Sequence, residues 1–207
     1  MKTESHRLLG EYLIRTVQGF CEPKYEEAFL WGCIEPDLNF LTYLKGSGKI
    51  RLFRGHNFRN SAACVRHIID TLQKNKYWGI REYYRFGKLI HYLSDSFTYP
   101  HNDNFSGSIR EHRKYETELH NRFQRYIFLK QCVPNEDRCR SASEAVKLLH
   151  RQYLEAEAGE ATDMWYIVMA TGSVYRMLIP ETAGDRNECS EVQYESSYNY
   201  GLLHANR

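Results

Sequence analysis

The sequence predicts an all-α fold built as a single helical domain. Three observations carry that expectation. Several long segments repeat apolar residues at spacings of three and four, which puts them on one helical face. Only 5 Pro and 13 Gly occur in 207 residues, so breakers are sparse. The 16 Tyr and 10 Phe supply bulky side chains suited to packing between helices.

Residues 6–20 form the first expected helix, with Leu8, Leu9, Tyr12, Leu13 and Val17 on one face and Ser5 as its N-cap. Glu26 to Trp31 is expected as a shorter helix. Gly32 to Arg54 contains Pro36, Gly46 and Gly48 and reads as a long loop with at most one helical turn, around Leu38 to Tyr43. Asn57 to Lys74 places Ala62, Val65, Ile68, Ile69 and Leu72 together, an amphipathic helix. Ile80 to Phe97 carries Tyr83, Tyr84, Gly87, Ile90, Tyr92 and Leu93, dense enough for a buried helix that Pro100 ends. Further helices are expected from Ile109 to Lys130, from Ser143 (as cap) to Glu155, and from Ala161 to Leu178 before Pro180. The domain is thus expected over 1–180, followed by a polar tail over 181–207.

Composition removes several function classes. Lys plus Arg (28) against Asp plus Glu (26) leaves +2, too small an excess for a nucleic-acid coat protein or polyanion-binding tail. No run of about 18 apolar residues occurs, so no membrane-spanning helix is expected. The first residues lack the apolar core of a signal peptide, and the chain as given is expected to be cytoplasmic. The six cysteines include no CxxC pair, against a zinc ribbon or thioredoxin-like site, and most are expected to be buried thiols. Cys132 and Cys139 could close a loop only in an oxidising compartment.

The chemistry concentrates in the histidines and carboxylates. In HYLSDSFTYPHN, His91 and Asp95 stand four apart on a helix and point the same way. An ionised Asp95 on so apolar a helix costs several kcal/mol unless a cation or hydrogen bonds compensate it. His101 follows just beyond Pro100. In REHRKYETELH, His112 and Glu116 repeat the four-residue spacing, with His120 one turn on as a residue that could replace or support His112. Upstream stand His6, Asp37 in GCIEPDLNF and His56 in RGHNF. Each has an ordinary structural explanation when taken alone: a core histidine, a solvated ion pair, a turn aspartate. Together, five histidines, two aspartates and a glutamate at these offsets point to metal binding. His67, His150 and His204 have no partner in helical register and are not expected to be ligands.

The ordered set His6, Asp37, His56, His91-x3-Asp95-x5-His101 and His112-x3-Glu116 resembles the zinc-dependent phospholipase C and P1/S1 nuclease superfamily, over roughly residues 1–120. The resemblance implies an α-helical domain holding two or three zinc ions. One ion would take Asp37, His56, His91 and Asp95. A neighbour would share Asp95 with His6, with the Met1 amino group as a further donor. The remaining ion would take His101, His112 and Glu116. It also implies phosphoester hydrolysis by a zinc-activated water, with Asp37 as a ligand that accepts the proton of that water.

Such mixed nitrogen and oxygen ligation without thiolate suits catalytic rather than structural zinc. Lys45, Lys49, Arg51, Arg54 and Arg59 surround His56 and alternate with Phe53 and Phe58, an edge suited to an anionic head group or nucleic-acid backbone. Arg51, Arg54, Phe53 and Phe58 are therefore the candidate substrate-binding residues; a solvated basic loop is the plainer alternative. Glu116 and the short chain favour a phospholipase C-like phosphodiesterase. The alternatives are a single-strand-specific nuclease or nucleotidase, and a non-catalytic helical metal-binding module. The expected partner is a phosphoester substrate, a phospholipid head group or nucleotide, with transient membrane-surface contact and no stable protein partner.

Overall fold

The computed structural model describes residues 1–16, 20, 22–39, 58–130 and 139–180. Among these, the chain forms α1 (Thr3–Thr16), α2 (Pro23–Leu38), α3 (Phe58–Lys74), α4 (Ile80–Ser96), a 3-10 turn (Tyr99–His101), α5 (Ile109–Leu129), α6 (Ala142–Glu155) and α7 (Glu160–Leu178), with no strand. The all-α expectation holds. No helix among the described residues is long and apolar enough to cross a membrane.

The local signals explain most boundaries. Ser108 Oγ accepts a hydrogen bond from the Glu111 amide at the start of α5, and the Ser108 N–H donates to Glu111 Oε2 at 2.6 Å, a capping box. Ser141 caps α6 by accepting from the Glu144 amide, so the cap is Ser141 and not Ser143. Ser5 lies inside α1, buried and bonded to His120, instead of capping the helix. The largest departure is α2, which starts at Pro23 and continues through Gly32 and Pro36 to Leu38. Pro23 sits in the first turn, where a missing N–H costs nothing and the fixed φ favours the helix. Pro36 removes one helical hydrogen bond, but packing against α4 outweighs that local loss. The residues 32–38, expected as loop, are therefore helix; positions 40–57 and the tail 181–207 lie outside the described residues.

α4 and α7 occupy the middle of the bundle. α4 packs on α1, α2, α3 and α7, while α7 touches α1, α3, α4, α5 and α6. α7 is apolar over most of its length and continuously buried from Ile167 to Tyr175. Phe29, Phe86 and Tyr175 join α2, α4 and α7 at ring separations of 5.0–5.9 Å. Val65, Ile68, Ile69 and Leu72 bury the expected face of α3. Among the described cysteines Cys33 is buried, Cys139 half-buried and Cys64 exposed, against the expectation that most are buried.

α2 and α4 come into backbone contact where Gly32 faces Gly87. A Cβ on Gly87 would strike the Phe29 carbonyl, and one on Gly32 the Tyr84 carbonyl. Backbone on both sides leaves nothing flexible to yield. Gly87→Ala is expected to destabilise the protein by about 3 kcal/mol, at the severe end of overpacking. Denaturant unfolding of the purified variant measures it, and a loss under about 1 kcal/mol would mean that the helices separate easily.

Candidate metal centre

Donor atoms converge on two adjoining points of the bundle. His6, His91 and Asp95 form one group and His101, His112 and Glu116 another, with the donor atoms of each group within 4.8 Å of one another. The first is fully buried. In α4, the four-residue spacing aims His91 and Asp95 together, with His91 Nε2 3.4 Å from Asp95 Oδ2. α1 brings His6, whose ring stacks on His91 with centroids 3.9 Å apart. Asp37, in the last turn of α2, completes the group: its Oδ1 lies 3.6 Å from His91 Nε2 and its Oδ2 3.8 Å from His6 Nε2.

Neighbouring hydrogen bonds set which nitrogen each imidazole presents. His91 Nδ1 lies 2.9 Å from the Cys33 carbonyl, which can only accept, so Nδ1 carries the proton and Nε2 faces the carboxylates. Ser94 donates its one hydroxyl proton to the His91 carbonyl at 2.8 Å. Its Oγ must therefore accept from His6 Nδ1, 2.9 Å away. That leaves His6 Nε2 with its lone pair directed at Asp95 Oδ1, 3.3 Å off. This nitrogen is buried and has no hydrogen-bond partner among the described residues. Burial, reinforced by the adjacent His91, lowers the His6 pKa to about 4, so the ring does not protonate to relieve the contact at neutral pH. A lone pair facing a carboxylate oxygen is unfavourable unless a cation lies between them. The donor set thus fits a metal ion, and the Nδ1–H contacts are those that orient metal-binding imidazoles.

The second group is assembled from the 3-10 turn and α5. His101 Nε2 and His112 Nε2 each lie 3.1 Å from Glu116 Oε1. The turn is held by Asn102, whose amide donates to the Ser96 and Thr98 carbonyls and whose oxygen accepts from His150 Nε2 at 3.1 Å. Phe105 meets the His112 ring edge-on. Between the groups lies the Met1 amino group, 2.6 Å from Asp95 Oδ1, 3.1 Å from Glu116 Oε1 and 3.3 Å from His101 Nε2. Burial alone would lower its pKa, but the carboxylates of Asp95 and Glu116 raise it to about 11. Burial opposes ionisation of Asp95 and Glu116 as well. The Met1 ammonium and the adjacent histidines nevertheless hold both carboxyls well below the ordinary carboxylate range.

Of the residues read from sequence, the structure brings together His6, Asp37, His91, Asp95, His101, His112, Glu116 and the Met1 amine. Asp37 comes from a helix and not from the expected loop. His120 stays apart, bonded through Nδ1 to Ser5 Oγ at 2.8 Å. His67 is exposed on α3. His56, Arg51, Arg54 and Phe53, with Lys45, Lys49 and His204, lie outside the described residues, as do the side chains of Phe58 and Arg59. Sequence reasoning missed Thr3, which donates to Asp37 Oδ2 at 2.9 Å, and the roles of Ser94, Cys33 and Asn102. Ser94 could have been found three residues beyond His91; the Cys33 contact uses a backbone carbonyl and has no residue signature.

Residues 5–160 match the sequence model of a family described as zinc-dependent phospholipase C. No curated protein and no solved structure matches the chain.

His150 provides a pH test of the frame around this centre. Burial lowers its pKa to about 4 from the ordinary 6.5. The unfolded chain therefore binds the proton more tightly, and the stabilisation present above pH 6.5 fades as pH falls toward 4. The loss should approach about 3 kcal/mol. Urea unfolding at pH 7 and pH 4.5 is expected to show a smaller acid loss in His150→Gln than in the parent protein. Equal losses would mean that His150 titrates normally.

Proposed function

The chain belongs to the zinc-dependent phospholipase C family, and from that membership and the donor geometry we propose that it hydrolyses phospholipid phosphodiesters. At family level it is a zinc-dependent phosphoester hydrolase. The observation that carries the finer reading is the adjacency of the two donor groups, which meet where His101 Nε2 comes within 3.9 Å of Asp95 Oδ1. Adjacent metal sites suit in-line displacement at phosphorus, because attacking and leaving oxygens need stabilising at neighbouring points.

His6, His91, Asp95 and Asp37 would hold zinc in the first group, with Asp95 shared between two ions, the Met1 amine as a further donor and His56 as the remaining ligand. His101, His112 and Glu116 would hold the other. When bound, zinc supplies Lewis acidity: it brings the pKa of water toward neutrality and neutralises charge on phosphoryl oxygens. Asp37 is the least enclosed carboxylate of the first group, with 16% exposure against 1% for Asp95. Its Oδ2 is steadied by the Thr3 hydroxyl, which leaves Oδ1 to accept the proton of the attacking water. Ser94 and Cys33 keep the imidazoles turned toward the reacting centre. The second group would bind the phosphoryl side of the substrate. Arg51, Arg54, Phe53 and Phe58 would meet its head group. Release of a lipid product would require transient contact with a lipid surface.

Elemental analysis of protein purified without chelators is expected to find two or three zinc ions per chain. Asp95→Asn is expected to lose more than one of them; full retention would remove the shared ligand from the scheme. The zinc-loaded protein should release diacylglycerol from phosphatidylcholine or phosphatidylinositol vesicles, and a chelator should abolish release. Asp37→Asn should lower kcat by about 100-fold or more. Turnover of single-stranded DNA or RNA with no lipid hydrolysis would replace the lipid by a nucleic-acid substrate. Zinc-loaded protein inactive on both would make it a binding module.

A further inference from the structure

A second buried carboxylate stands behind the candidate centre without touching its donors. Asp163, in the first turn of α7, has no solvent exposure. Its Oδ2 accepts from the Tyr99 N–H at 2.9 Å and from the Tyr115 hydroxyl at 2.8 Å, and its Oδ1 accepts from the Tyr153 hydroxyl at 2.7 Å. Two of these donors adjoin candidate ligands. Tyr99 opens the 3-10 turn whose last residue is His101, and Tyr115 immediately precedes Glu116, three residues after His112. One carboxylate therefore grips both chain segments that deliver the second donor group.

We propose that Asp163 is a positioning residue for metal binding, fixing His101, His112 and Glu116 through its bonds to Tyr99 and Tyr115. The inference rests on the reading of that trio as a zinc site. Asp163 lies beyond residues 5–160, on a helix that carries none of the candidate ligands. A carboxylate is an expensive way to join buried helices, since apolar residues of similar volume commonly serve as well. What it offers instead is direction: a fixed oxygen orients an amide and a hydroxyl on two different segments at once. Without it, the Asn102 bonds still hold the turn and apolar packing still holds α5, but the Tyr99 amide and the Tyr115 hydroxyl no longer share a fixed acceptor that sets the turn against α5. The His6–His91–Asp95 group is oriented separately, by Ser94 and Cys33. Loss of Asp163 is therefore expected to act chiefly on the His101–His112–Glu116 group.

Zinc-loaded full-length protein, titrated with a chromophoric chelator at a temperature where circular dichroism shows every variant folded, tests this. Asp163→Ala and Tyr115→Phe are expected to weaken one zinc ion by about 10- to 100-fold and leave the others at parental affinity. Tyr153→Phe removes a more deeply buried hydroxyl from the same carboxylate, one that borders no candidate ligand, and is expected to lower thermal stability with much less effect on zinc. Should Asp163→Ala fail to fold, Tyr115→Phe decides alone. Parental affinity for every ion in the folded variants would overturn the proposal, as would equal weakening at all ions, which marks general loosening. A parent protein that binds no zinc would instead defeat the metal reading itself, and this inference with it.

Discussion

The structure is organised around one buried negative charge. Asp95 is 1% exposed in the central helix, and a carboxylate so placed costs several kcal/mol unless its oxygens meet cations or donors. The Met1 ammonium supplies one such partner, while the ring nitrogens of His6 and His91, and of His101 across the seam, face the same carboxylate as further donors for a cation. The dependence runs both ways. Met1 is itself buried in the core, and its ammonium tolerates burial only because Asp95 and Glu116 face it. The seating of α1, the line of α4 and the turn after Pro100 therefore have to be satisfied together.

Backbone contact between α2 and α4 converts packing into site geometry. Because Gly32 and Gly87 carry no Cβ, the helices come near enough for the Cys33 carbonyl, next to Gly32, to reach His91 Nδ1, four residues after Gly87. That bond sets the ring orientation, and one turn further along α2 the Asp37 carboxylate arrives opposite His91 Nε2. A change that only widened the helix pair would therefore move a candidate ligand and an orienting group at once, with no donor atom altered.

The parts legible in the sequence were those that a single helix determines. His91 with Asp95, and His112 with Glu116, meet because they are four apart, and their helices have clear apolar faces. The second half of α2 was not legible, since Gly32 and Pro36 are breakers by local rules; Gly32 serves packing against Gly87, a partner 55 positions away that no local pattern reveals. The orienting contact from Cys33 comes from a backbone atom, which residue type does not advertise. Asp163 differs, because its signal was present: an acidic residue at the head of a nearly all-apolar helix raises the same question as Asp95. It lacks a histidine four residues away, and so resembles an ordinary first-turn acid favoured by the helix dipole.

The two donor groups differ in how they meet solvent and charge. The first is sealed between helices, with His6, His91 and Asp95 all buried; the second stands at a turn, where His112 is 31% and Glu116 16% exposed. At their junction the Met1 amine already occupies a cation's position, bonded to Asp95 and close to Glu116 and His101. For that amine to ligate a metal it must first give up a proton held with a pKa of about 11. At pH 7 this costs about 5 kcal/mol, which the metal has to offset in binding. The carboxylates that raise the amine's pKa are also the groups that attract the metal, so proton and ion compete for one electrostatic well. Metal uptake at the seam therefore releases a proton and strengthens as pH rises.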